Sequence, residues 1–476
     1  MKTNSKYFIS FVLVFNLVLI PNLFSQEQRD YPVSDKAYGI TWDGTYLYYL
    51  DSDRRAIIRY LDNGEQEVFN LGLANMKGIS FDSKEGRLLV TAPKVILKLD
   101  PNTGGVVERI PIPLTLVGGI ASADGTYFLL DLESGKIRFM DKATGLLVGG
   151  FLTDRASPRD LTYGKDSLWV SDSSNGTVYR YNPNNGNITG SIQAPADEIR
   201  GILFSGAKLW VVDRASKQIR SIPFVETDRF ISSGETEVNV TYKIHYKLPD
   251  ISLAKSEIAI LQPPTNENQR IRNLEATSKG FRNGTMNRSR SFNKKLDLSS
   301  DRGNQSTTLT FQARIANTAY YIDDRFLKRK EAIPDELNRF RIPEKENLKI
   351  SPNDALGVFN SCLISSKQAE DVHAKLIEKG FASQLSKGVR WNKKDFSTST
   401  IDSLNAYFPG FGWIPISINN LKPSKENRTY FATEDELILF QSDNMEKIES
   451  PVYFRSSPSD EWTQLDARWE ITINRK

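Results

Sequence analysis

Very little in this chain could serve acid–base or nucleophilic chemistry. Cys362 is the only cysteine, and His245 and His373 are the only histidines. A thiol hydrolase needs a thiolate, an imidazole that exchanges protons with it, and a third group that holds the imidazole's tautomer. His373 lies in "SSKQAEDVHAKLIEKGFASQL", where Ala369, Val372, Leu376 and Ile377 fall at helical spacing and Gly380 supplies a C-cap. A histidine on the half-buried edge of such a helix reads as a packed or capping side chain, and Cys362 reads as a small buried hydrophobe. These two are nonetheless the pair that a catalytic role would have to use. One cysteine and two histidines make no metal cluster of recognised spacing, so neither a metal nor a cofactor is expected.

Carboxylates recur more regularly. Asp51, Asp131, Asp172 and Asp213 each close a short apolar run, as in "LWVSDSSNGTVYRY", and Ala92 interrupts the series. Their two readings are side chains that bond backbone amides at a turn, and ligands for a molecule or ion on one face of the fold. The series belongs to a repeat. Copies begin at Gly39, Gly78, Gly119, Asp160 and Gly201, spaced by 39, 41, 41 and 41 residues. Each copy carries three or four short alternating runs separated by Asp-Gly, Asn-Gly, Ser-Gly or Thr-Gly, which is hairpin chemistry. Four antiparallel strands at this period predict a β-propeller blade, because one blade cannot bury both faces and a closed ring can. The last copy lacks a fourth run, and "EQRDYPVS" before the first copy is placed to supply it, which gives five blades. The repeats resemble NHL-type and YncE-like propellers, a likeness that implies recognition through loops on one face of the ring.

Bulk composition sets the frame for the rest. At 476 residues the chain is too long for one core, and 39% hydrophobic with 25% charged residues is ordinary for a folded protein. A net charge of +4 gives no dedicated nucleic-acid surface. Lys2 and Lys6 ahead of "FISFVLVFNLVLI" and a "PNLFSQ" exit have the order of a secretory signal peptide over residues 1–25, cleaved near Ser25 or Gln26. The alternative is a single uncleaved anchor helix. Export to the periplasm or outside the cell is expected, with no membrane span after cleavage and no intramolecular disulfide.

After Val225 the period stops. "TEVNVTYKIHYKL", "KSEIAILQPP" and "STTLTFQARIA" alternate as strands and predict a β-sandwich. Between them Arg270, Arg272, Lys279, Arg282, Arg288, Arg290, Lys294 and Lys295 are opposed only by Glu275. This stretch reads either as a solvated hairpin or as a footprint for an acidic surface, for which Arg282, Arg288 and Arg290 are the binding candidates.

The order of later segments carries a second resemblance. "LQPPTNENQRI", "IPDELNRFRIPEKENLKISP", "KLIEKGFASQL", "YFPGFGWIPIS" and "YFATEDELILFQSD" are similar, in sequence order, to segments of the exported transglutaminase-like family of papain-type enzymes. That family places its cysteine at a helix N-terminus, its histidine on the next strand and a carboxylate on the following hairpin. Gapless counting puts those places at Ser365, Ile401 and Ser417, so the likeness implies a vacated triad and no catalytic residue. "LISSKQAEDVHAKLIEKGFASQL" also resembles one repeat of the SPOR peptidoglycan-binding module, without the rest of that module.

These readings combine into a mainly β, multidomain chain: signal peptide 1–25, five-bladed propeller 26–226, sandwich 227–325 and a small transglutaminase-like α+β domain 326–476. The expected function is exported, non-catalytic recognition of a protein, a peptide or a cell-envelope glycan. The alternative is a cysteine peptidase or acyltransferase that uses Cys362 and His373.

Overall fold

The computed structural model describes residues 31–322 apart from 62–63, 65, 195, 197, 206–207, 251–254 and 298, then 326, 333–341, 352–417 apart from 394, 430–442 apart from 434, and 448–476. The signal-peptide reading, and the cleavage near Ser25, therefore lie outside the described residues. Among those described, no helix is long and apolar enough to cross a membrane.

The protein is mainly β. Residues 31–222 make five antiparallel sheets of four strands. Four sheets are built in chain order and start at Ala37–Trp42, Ile79–Asp82, Val117–Ala123 and Pro158–Gly164. The fifth joins Ile199–Ser205, Lys208–Asp213 and Gln218–Ile222 to an outer strand from the other end of the chain, where Tyr31 lies opposite Ile219. Alternation along the strands gives each sheet two apolar faces, and each face is used. One core lies between the first and second sheets around Leu50, Leu88 and Val90. Equivalent cores separate each later pair, and the one around Ile40, Tyr49, Leu203 and Val212 joins the fifth sheet back to the first. The result is a closed, β-propeller-like ring.

Glycine makes the centre of the ring possible. The first strand of each sheet runs beside the first strand of its neighbours, and a Cβ on Gly78 would come within 2.3 Å of the Gly118 carbonyl oxygen. A Cβ on Gly119 would meet the Leu161 nitrogen at 2.2 Å. Side chains at these positions would force the strands apart. In the fourth copy the glycine is replaced by Asp160, whose carboxylate spans the same gap, accepting from Leu161 N at 2.9 Å and from Ile202 N at 2.8 Å.

Three further sheets follow. One runs Phe224–Glu226, Phe230–Lys247, Asn304–Tyr321, Gln269–Ala276, with Ala467–Arg475 added to the second strand and Tyr430–Thr433 to the third. The next runs Arg282–Met286, Ser289–Lys295, Glu257–Leu261, Val452–Arg455, Thr463–Gln464. The last runs Gly412–Ser417, Thr398–Phe408, Ser383–Trp391, Glu436–Gln441, and is covered by helices α1 (Pro352–Leu363) and α2 (Ala369–Glu378). α2 stops at Gly380, φ +87°, where the Gly380 and Phe381 amides cap the Ile377 and Leu376 carbonyls.

Pairing here crosses the boundary drawn at 325/326 from the sequence. Val238 lies opposite Arg475 and Ile258 opposite Phe454, so the chain's last strands complete sheets begun before residue 262. The physical reason is edge coverage: strands 230–247 and 257–261 would otherwise each leave a row of backbone groups open to solvent or to another chain. The "YFATEDELILFQSD" segment likewise serves two sheets, breaking at Asp435, φ +53°, whose amide donates to Asn317 Oδ1 at 2.9 Å.

Candidate functional site

The meander 383–417 fixes where the three counted positions, Ser365, Ile401 and Ser417, lie. Ser383 bonds His373 of α2 and stands opposite Ala406, so the face of the 398–408 strand that carries Ala406 and Leu404 looks at the helices. Ile401 lies on the other face. Ser417 shares that face, because it stands opposite Ser403. Ser365 sits in the turn between α1 and α2, on the helical side, with its hydroxyl donating to the Cys362 carbonyl at 2.6 Å. Two of the three places therefore share a surface and the third lies across the sheet from them.

A carboxylate is present near Ser417 all the same. Glu436, on the opposite edge strand of the same sheet, is ion-paired with Arg390, which also donates to the Ser417 hydroxyl at 3.1 Å. Burial pushes the Glu436 carboxyl up, against the opposing pull of Arg390 and Ser417. No imidazole joins this group: His373 belongs to the helical face, where its Nδ1 is 2.9 Å from Ser383 Oγ. Cys362 is 3% exposed within the largest apolar core, and burial pushes its thiol up. That is the reverse of the shift a thiolate nucleophile requires. Among the described residues no group of three histidine, cysteine or acidic side chains could hold a metal ion.

The four repeat aspartates sit where the second strand of each sheet turns into the third, and all are buried. Asp51 Oδ1 accepts from the amides of Asp53 and Arg54 at 3.1 and 3.0 Å. Asp172 Oδ1 accepts from the Ser174 amide at 2.9 Å, Asp213 Oδ1 from Ala215 at 3.1 Å, and Asp131 Oδ1 from Glu133 at 3.1 Å. Their oxygens are directed into their own turns. Arg282 and Arg290 are exposed on the strands 282–286 and 289–295 and Arg288 in the turn between them, with no ion pair among the described residues. Arg270 and Arg272 lie on a different sheet, with strands 230–247 and 304–321, so the basic stretch is divided between two sheets. A polar cleft of about 590 Å³ lies between the fourth sheet of the ring and the 224–230 turn, lined by Asp166, Arg180, Asn184, Glu226, Arg229 and Tyr321. Glu226 there takes ion pairs from both Lys165 and Arg180.

One register of the repeat lies just ahead of each copy's start. Tyr38, Lys77, Gly118, Arg159 and Arg200 each stand immediately before a repeat start, and the repeat alignment already puts them in line. The signal that could find them is their position in the repeat, one residue ahead of each copy's start.

No family model matches this sequence, and no curated protein matches it. Solved structures with partial likeness include Myxococcus xanthus glutaminyl cyclase, at 14% identity over 40% of this chain and 93% of that one, TM-score 0.35. Streptogramin B lyase aligns at 19% identity over 43% of this chain and 68% of that one, TM-score 0.30. The WD40 β-propeller domain of Doa1 aligns at 15% identity over 38% and 62%, TM-score 0.30. At such scores none of these carries an argument about activity, and the ring is described from its own strand pairing and cores.

Proposed function

We propose that this chain is an exported, non-catalytic recognition protein: a five-bladed propeller within 26–226, closed by the strand from before the first repeat, followed by a sandwich and a transglutaminase-like frame without a working triad. The observation that carries the absence of thiol catalysis is the state of the only cysteine. Cys362 is packed in a core, its thiol is pushed up rather than down, and the nearest histidine in sequence bonds Ser383 instead. The places expected for histidine and carboxylate hold Ile401 and Ser417, and neither can act as a base. Recognition of a protein, peptide or cell-envelope glycan through the ring fits blades whose loops differ while their frame repeats.

The test is alkylation of the folded full chain by iodoacetamide at neutral pH, run beside a peptide-amide hydrolysis assay. Slow modification that accelerates only on unfolding is expected, with no hydrolysis. Fast stoichiometric alkylation, or cleavage that disappears in Cys362→Ala, would overturn the reading.

A further inference from the structure

Five residues at one register encircle the ring's axis, and three of them are cations. The inner strands approach so closely there that a Cβ on Gly118 would come within 2.4 Å of the Arg159 carbonyl, and one on Gly39 within 2.8 Å of the Lys77 carbonyl. Lys77, Arg159 and Arg200 are thus held near one another by backbone contacts that cannot relax outward. The Lys77 ammonium lies 5.6 Å from the centre of the Tyr38 ring, and the Arg200 guanidinium lies 5.4 Å from it. Such cation–π contacts soften the repulsion without cancelling it.

Compensation by acids is thin. Glu198 is the carboxylate paired with Arg200, and it also serves Arg214 at 3.0 Å. Arg159 Nε donates to Ser173 Oγ at 3.1 Å, a neutral partner. Lys77 has neither an ion pair nor a hydrogen bond among the described residues, and Arg200 Nε is buried without a partner. Asp160, one residue deeper, is wholly buried and bonded to two backbone amides, so its carboxylate is not turned toward the cations. The repeat aspartates are likewise committed to their turns. Burial and the charges of Arg159 and Arg200 hold the Lys77 ammonium below its ordinary value.

We propose that the mouth of the ring binds an oxyanion, the phosphate or carboxylate group of a ligand, between Lys77, Arg159 and Arg200. Two guanidinium forks and one ammonium suit an oxyanion with several acceptor oxygens, and no nucleophile or base accompanies them. The inference deepens the recognition reading and rests on it for purpose, while the geometry stands apart from the fate of Cys362.

Calorimetric titration of the full chain at low ionic strength, with inorganic pyrophosphate in one arm and citrate in the other, tests it. Saturable binding of one anion per chain is expected, with affinity lowered about tenfold or more in Arg159→Gln and in Lys77→Met. Lys77→Arg should keep most of it, and Arg288→Gln, on the sandwich, should leave it unchanged. Without ligand, Lys77→Met should melt no lower than the parent, because it relieves repulsion; a merely structural lysine would give the opposite result. Preference for pyrophosphate or for citrate identifies the phosphate or the carboxylate source. Absence of binding to either anion in the millimolar range, or affinity that survives both substitutions, would overturn the site while leaving the proposed catalytic silence intact. Conversely, Cys362-dependent hydrolysis would end that silence without touching the anion site.

Discussion

The ring and the C-terminal sheets use antiparallel pairing in opposite ways. In the ring, strands that pair are almost always neighbours in sequence, joined by tight turns, and only Tyr31–Pro32 reaches across the whole array. In the C-terminal half, the strand Phe230–Lys247 pairs with Asn304–Tyr321 on one side and Ala467–Arg475 on the other. Repetition with local closure sets equivalent residues at equal distance from an axis, so a cation in three copies becomes a cluster. Long-range pairing gives no such equivalence. There, Ser365 falls on the helical side of one sheet and Ile401 and Ser417 on its other face, and the only thiol lies in the core.

The largest effect expected from perturbing this contrast is at Phe359. Its ring is fully buried and meets Phe381, Phe408 and Phe431 at centroid distances of 5.2, 5.5 and 6.2 Å, joining α1 to two different sheets. Phe359→Ala should cost about 4 kcal/mol. Hydrogen exchange should show the loss in amides of 352–441 and not in the ring; equal loss in both would show that the two halves unfold as one unit.

An intermediate effect is expected at Asp160, where the ring departs from its own repeat. Burial pushes its carboxyl up to about 8 from an ordinary 3.8. In the unfolded chain the group ionises near pH 4, while in the folded chain it holds its proton to about pH 8. The folded state therefore binds more protons across that interval, and this group's contribution falls as pH rises through it and levels off above. Asp160→Asn keeps only part of the backbone bonding, so it should be less stable than the parent at pH 4 and approach it by pH 8. Thermal melts of both chains across that range measure this, and parallel profiles would show that Asp160 does not titrate as described.

The smallest effect belongs to a turn. Asp172→Ala removes the acceptor for the Ser174 amide and hydroxyl and should cost roughly 1–2 kcal/mol in urea unfolding. The loss should be local to the fourth sheet and insensitive to added anions or divalent cations. A stability that depends on such ions only in the parent would return the aspartates to the binding candidates.

Much of the ring was legible because its signals are local. A spacing near 41 residues, a glycine at the start of four of the five copies and an aspartate at the second turn of four of them all act within a few residues of where they stand. The cation cluster is equally present in the alignment, one position ahead of Gly78, Asp160 and Gly201, but three basic residues from three copies mean nothing until the ring closes. The C-terminal half was legible only in pieces. Alternation identified its strands, and Gly380 marked the end of α2. Nothing in the hairpin's residues tells that Trp413 is only half-buried and packs edge-on against Phe340 and Tyr407. Alternation says which face of a strand is apolar; it does not say which distant strand will cover its edge, so the return of 452–475 to strands 230–247 and 257–261 is not legible in the sequence.

The sequence by itself determined the repeat, the turn chemistry of its aspartates and the scarcity of reactive groups, since each follows from residue type and near-neighbour spacing. Only the tertiary structure decided which side of the 383–417 meander Ile401 and Ser417 occupy, that Cys362 is sealed in a core, and that Lys77, Arg159 and Arg200 meet at one level of the axis. Those outcomes depend on contacts between residues far apart in the chain, and such contacts exist only once apolar faces have been buried against one another.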